Sequence, residues 1–125
     1  MRTKGEIEAA ISEAMVRFEI DYMGRGPKEV RSHIFEDLIV VRLKGMLTPA
    51  EQQLTKTAEG VELVKKMRSK IIDNAKAEFA RVISNNTGVG VRDILTDIST
   101  LSGERIFVFI LERNLGNELP RRGSS

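Results

Sequence analysis

The stretch Tyr22-Met-Gly-Arg-Gly-Pro-Lys-Glu-Val30, running on through Ser32-His-Ile-Phe-Glu-Asp-Leu-Ile-Val-Val-Arg-Leu43, constrains the fold more than any other, because it must turn a helix into a hairpin. Gly24 and Gly26 close an amphipathic run, and glycine enters the left-handed conformation that ends a helix at low steric cost. Pro27 has no N–H to donate and biases the preceding residue toward extended backbone, so the helix stops near Met23 and a strand follows. Val30 to Phe35 reads as that strand and Glu36-Asp37 as a polar corner. Leu38 to Leu43, rich in β-branched residues, reads as its partner, ended by Lys44-Gly45.

A diluted copy returns from Asn86 to Leu111. Thr87-Gly-Val-Gly90 repeats the glycine spacing of Met23-Gly-Arg-Gly26 at an offset of 64 positions (24 to 88). At that offset Ile7 meets Ile71, Met15 meets Phe79, Phe18 meets Val82 and Ile34 meets Ile98. Ile106 to Leu111 supplies a second strand after the longer turn Thr100-Leu-Ser-Gly-Glu104. The pattern predicts an α+β domain of two tandem helix-hairpin (αββ) units, joined by an extra helical segment. Its four-stranded, mainly antiparallel sheet carries helices packed on it. The expected boundaries are a single domain over 1–116, units near 5–45 and 70–113, a connecting helix near 48–69, and a loose tail over 117–125.

Between the units, Thr48-Pro-Ala-Glu51 is a helix start: threonine caps, proline suits the first helical position, and glutamate completes a capping box. Thr57-Ala-Glu-Gly60 interrupts the run that follows, predicting a short helix, a bend and a long helix to about Asn85. In the first helix Ile7, Ile11, Met15 and Phe18 share one face, with Glu6, Glu8, Glu13 and Arg17 turned away. In the long one Val61, Val64, Met67, Ile71, Ile72, Ala75, Phe79 and Val82 recur at helical spacing. Leu38 to Val41 and Ile106 to Leu111 carry apolar residues at both alternating positions, so both sheet faces call for cover. Two helices shield one face. The other requires the Thr48 helix, a second copy or another protein, and a homodimer or a tighter hetero-complex is the expectation.

Composition excludes whole classes of chemistry. With no cysteine among 125 residues there is no disulfide, thiolate nucleophile or thiolate metal site. The 41% hydrophobic and 30% charged residues fit a folded globular chain. No apolar run reaches the roughly 20 residues a bilayer span needs, and the first residues lack a signal-peptide core, which predicts a cytoplasmic protein. A net charge of +2 permits nucleic acid without demanding it.

Candidate sites are few, and each has an ordinary structural explanation. Arg25, Lys28 and Arg31 flank a glycine pair, but a phosphate loop precedes a helix N-terminus and this one follows a helix C-terminus. These cations suit an anion or an acidic partner. Lys65, Lys66 and Arg68, with Lys70, form a cationic helix segment without the interleaved aromatics of single-strand binders, so nucleic acid is not expected. His33 is the only histidine, and Asp93 and Asp97 share a strand face. A small enzyme centred on His33 and Asp97 is the weakest reading, because a solvated sheet face accounts for all three. No catalytic residue, metal or cofactor is expected.

Lys4-Gly-Glu-Ile-Glu8, Tyr22 to Val30, Val41-Arg-Leu-Lys-Gly45, Leu47-Thr-Pro-Ala-Glu51, Thr87-Gly-Val-Gly90 and Thr96-Asp-Ile-Ser-Thr100 together resemble the bacterial MpsC family, over about Lys4 to Asn114. That family takes its name from a sodium-translocating, membrane-potential-generating system linked to inorganic carbon uptake, whose other components include an integral membrane subunit. The resemblance implies a non-enzymatic accessory protein, peripheral at the inner membrane face, that acts by protein–protein interaction. It carries over no catalytic residues. The alternative is a regulatory module that binds a ligand or nucleic acid through its basic loop and helix residues.

Overall fold

A computed structural model describes residues 2–120. Helix α1 (Lys4–Met23) leads into strands β1 (Glu29–Phe35) and β2 (Leu38–Lys44), the short helix α2 (Pro49–Leu54) and the long helix α3 (Ala58–Thr87). Strands β3 (Val91–Ser99) and β4 (Glu104–Leu111) follow. The four strands form one antiparallel sheet in the order β1-β2-β4-β3, with the apolar β2 and β4 paired at its centre.

Local chemistry accounts for the ends of these elements. Thr3 and Glu6 form a capping box at the start of α1, as Thr48 and Glu51 do at the start of α2. Gly24 and Gly88 close α1 and α3 in the left-handed region, at φ 85° and 73°. Both glycines named in the sequence therefore have the same backbone task. Gly60 has a different one. A Cβ there lies 1.7 Å from the Leu54 carbonyl oxygen, so the first turn of α3 touches the end of α2 with no room for a side chain.

One sheet face carries the core. Ile34, Ile39, Val41, Leu43, Ile98, Phe107, Phe109 and Leu111 meet Ile7, Ile11, Met15 and Phe18 of α1 and Val64, Ile72, Ala75, Phe79 and Ile83 of α3. The Phe18, Phe79, Phe107 and Phe109 rings form a continuous series with centroids 4.5, 5.2 and 5.8 Å apart. Helix α2 packs on α3 rather than on the sheet. The opposite face has no helix over it among the described residues.

Four expectations need correction. Helix α3 is continuous over thirty residues, about 45 Å at the usual rise, so the expected boundary near residue 69 falls inside it. Within that helix Met67 is 40% exposed, and Ile83 fills the core position expected of Val82. Glu8 is buried, not turned away; its carboxylate accepts the Ile34 N–H at 2.8 Å, tying α1 to β1. The expected loose tail holds Leu119 against the core, and the Pro120 carbonyl accepts the Lys4 N–H at 3.1 Å. The rest of that tail, 121–125, lies outside the described residues. No described helix is long and apolar enough to cross a membrane.

Candidate functional site

The chain after α1 and the turn between β3 and β4, far apart in sequence, meet at one end of the sheet. Arg25 and Lys28 line a cleft of about 340 Å³ with Gly45, Thr100, Leu101 and Gly103. Its frame is backbone: Lys28 N–H donates to the Lys44 carbonyl at 2.8 Å and Met46 N–H to the Gly103 carbonyl at 3.3 Å. The Lys28 stem runs over Gly45, where a Cβ would come within 2.7 Å of it. Neither Arg25 nor Lys28 forms an ion pair among the described residues. Leu101, at the tip of the turn, is 99% exposed. Two uncompensated cations beside a projecting leucine suit a ligand surface that is both acidic and apolar.

The other sequence candidates disperse. Arg31 lies on the open sheet face and pairs with Glu29 at 3.3 Å. Lys65 reaches round the β3 edge to Asp97 at 3.9 Å, and Lys66 is exposed. Arg68 leaves the solvated cluster altogether. It is 2% exposed, its Nε and Nη2 donate to the two Glu51 carboxylate oxygens at 2.6 and 2.8 Å, and Nη1 donates to Glu19 at 3.2 Å. Nη2 also donates to the Met46 carbonyl at 3.1 Å. With no free donor face, Arg68 is unavailable to a partner and instead ties α1, α2 and α3 together.

The buried polar network includes a second arginine. Arg105 of β4 donates from Nη1 to Thr96 Oγ1 at 2.8 Å and lies 5.6 Å from the Phe107 ring centroid, while its Nε has no partner. Glu19 and Glu51 thus balance Arg68 and Arg105 in formal charge. Burial pushes the Glu19 carboxyl above its ordinary range against the pull of Arg68. Burial also acts to raise Glu51, but the hydrogen bonds from Arg68 and from the Thr48 N–H outweigh it and hold Glu51 below the ordinary range. Burial and the neighbouring Arg68 charge lower Arg105. The periodicity contained a signal for Arg68, which stands four residues from both Val64 and Ile72 on the buried stripe of α3.

His33 and Asp97 share the open face but occupy the two edge strands. Three strand spacings, about 14 Å, separate them, beyond any direct proton transfer. Asp93 and Asp97 both point outward from β3, as their spacing of four predicts. Among the described residues no group of three or more His, Asp or Glu side chains converges on a common point.

The open face has an ordered composition. Reading across β1, β2, β4 and β3 at successive levels gives Phe35, Leu38, Ile110 and Asp93, then His33, Val40, Val108 and Leu95. Next come Arg31, Arg42, Ile106 and Asp97, then Glu29, Lys44, Glu104 and Ser99. The first two levels are mostly apolar and the last two mostly charged. Within the charged levels cations lie on the β1–β2 half and carboxylates on the β3–β4 half, apart from Glu29.

Comparison with known proteins places this architecture in a family. The chain is 38% identical over 120 residues to the uncharacterised protein YbcI of Bacillus subtilis (strain 168), spanning 96% of this chain and 97% of YbcI. It is 24% identical over 99 residues to the uncharacterised protein YrhF of the same organism, spanning 78% and 81% of the two chains. No solved structure matches it. The family described as Na+-translocating membrane potential-generating system (MpsC) matches residues 3–113, and the chain belongs to that family.

Proposed function

We propose that this chain is a non-enzymatic accessory protein of a membrane-potential-generating system, the kind linked to inorganic carbon uptake, and that it acts from the cytoplasmic membrane face by protein–protein contact. The cleft between Gly24–Lys28 and the β3–β4 turn carries this reading. Arg25 and Lys28 stand there without counter-ions beside the exposed Leu101, on a backbone frame tied to the sheet. Such a surface accepts an acidic segment with an apolar anchor, as a cytosolic loop of a membrane-spanning subunit presents. Opposite charge speeds encounter, and the leucine supplies desolvated contact area. Arg68, bound within the protein, adds nothing to a nucleic-acid surface, which leaves the basic helix a weak competitor.

Affinity purification from detergent-solubilised native membranes tests the reading. The expected result is co-purification of a polytopic membrane protein, lost at least about tenfold in Arg25→Glu/Lys28→Glu and in Leu101→Ser, with both variants folded by circular dichroism. Bound RNA or a phosphorylated metabolite in place of a membrane subunit, or full retention of the subunit by both variants, overturns it.

A further inference from the structure

We infer that the open sheet face is the contact between two copies of this chain, stacked sheet on sheet about a two-fold axis that runs parallel to the strands between β2 and β4. This deepens the protein-contact reading above by naming one partner and the surface it uses, while leaving the Arg25–Lys28 cleft free. The face holds seven apolar side chains, with Phe35, Leu95 and Ile106 respectively 62%, 52% and 38% exposed. Water is a poor neighbour for such a surface, at about 25 cal/mol per Å² of apolar area. Neither α2 nor the described part of the C-terminal segment reaches it.

The pattern of the face favours a second copy over an unrelated protein, because its two central apolar pairs and two of its charged pairs are complementary to themselves. Rotation about an axis parallel to the strands keeps every residue at its level and exchanges β1 with β3 and β2 with β4. Leu38 then faces the other copy's Ile110, and Val40 faces its Val108. At the charged levels Arg31 faces Asp97 and Lys44 faces Glu104. Of the eight facing pairs these four are apolar on apolar or cation on carboxylate; in the other four Phe35 faces Asp93, His33 faces Leu95, Arg42 faces Ile106 and Glu29 faces Ser99, and the symmetry makes each occur twice.

The other in-plane axis, across the strands, matches fewer of the same residues. Centred on the face, it lays the Phe35–Leu38–Ile110 level over the Glu29–Lys44–Glu104 level, burying charge against hydrocarbon. Shifted to avoid that, it covers only half the face.

Four strands at about 4.8 Å and seven residues at about 3.4 Å make a footprint near 19 by 24 Å. Its flat area of about 450 Å² is a little over half the roughly 800 Å² per partner of a standard interface, and side-chain relief adds to it. Aligned sheets stack about 10 Å apart at about −30°, close enough for these pairs to touch.

A charge-exchange series read by light scattering on a sizing column at about 50 µM tests both the occupant and the axis. The wild-type chain should elute at twice its 14.0 kDa monomer mass. Val108→Lys should be a folded monomer. Asp97→Arg and Arg31→Asp should each weaken the dimer at least about tenfold, and the combined Arg31→Asp/Asp97→Arg chain should recover most of the loss. A monomeric wild type overturns the inference, and so does a dimer that Val108→Lys leaves intact, as an edge-to-edge pairing of β1 or β3 would. Failure of the double exchange to recover overturns the axis. None of these results touches the membrane-subunit test, because Arg25, Lys28 and Leu101 lie off this face.

Discussion

Replacing Arg68 with methionine removes the cation between two buried carboxylates and strands three acceptors, Glu19, Glu51 and the Met46 carbonyl, all bonded to one guanidinium. Removing one member of a buried ion pair costs about 3–5 kcal/mol, because the remaining charge stays out of water without compensation. Methionine fills much of the vacated volume, so packing loss adds little and the electrostatic part dominates. For a chain of 125 residues the unfolding entropy is about 0.26 kcal/mol per degree, and a 4 kcal/mol loss lowers the melting temperature by about 15 °C. Thermal unfolding followed at 222 nm, with urea midpoints as a second measure, reads the effect. Adding Glu19→Leu to Arg68→Met should regain part of the loss, since one uncompensated carboxylate goes with it. A fall of less than about 3 °C for Arg68→Met would mean that the guanidinium is not the shared partner of these groups, and the account of how α1, α2 and α3 are held together would be refuted.

Other perturbations have defined outcomes. Gly60→Ala forces a Cβ onto the Leu54 carbonyl, backbone that cannot swing aside, and should cost about 1–3 kcal/mol in urea unfolding. Gly24→Ala meets open space but must hold φ 85°, so its cost should be about 1 kcal/mol and purely conformational. Glu36, the one described non-glycine residue at positive φ (55°), should accept glycine with a small gain in melting temperature. The pH dependence of stability separates the two buried glutamates. Glu51, lowered on folding, contributes stability that is present above its unfolded value of about 4.3 and lost as pH falls below it; Glu51→Gln should flatten that acid limb. Glu19, raised on folding, is protonated more in the native state. Its effect is a decline in stability as pH rises from about 4.3 toward its elevated value, and Glu19→Gln should remove that decline.

Backbone-directing residues made the fold legible from sequence. The glycine pairs at 24/26 and 88/90, Pro27, and the Thr48-Pro-Ala-Glu51 start each act within a few residues, so a linear reading finds them. The apolar runs in β2 and β4 likewise announced a sheet with two faces to cover, while leaving open whether the Thr48 helix or another chain covers the second. What escaped was the set of charges pointing inward. Glu8, Glu19 and Arg68 look like surface residues because isolated burial of charge is costly, and only their partners, 17 to 49 positions away, make it tolerable. The cleft was half legible: the Gly24 to Lys28 loop was visible as an exposed cationic turn, but its meeting with Thr100 to Gly103 depends on the β2–β4 pairing that brings both to one end of the sheet. The packed tail at Leu119 escaped because proline, arginine and small residues give no periodicity to read.

The most direct test of association through the uncovered sheet is an isotope-filtered nuclear Overhauser experiment on a mixture of labelled and unlabelled chains, which reports only contacts between molecules. The account predicts cross-peaks from Val40 methyls to Val108 methyls, and from Leu38 to Ile110, of the other copy. A spectrum without intermolecular peaks at these residues, or with peaks only to Leu63 and Met67 on the outside of α3, would contradict it.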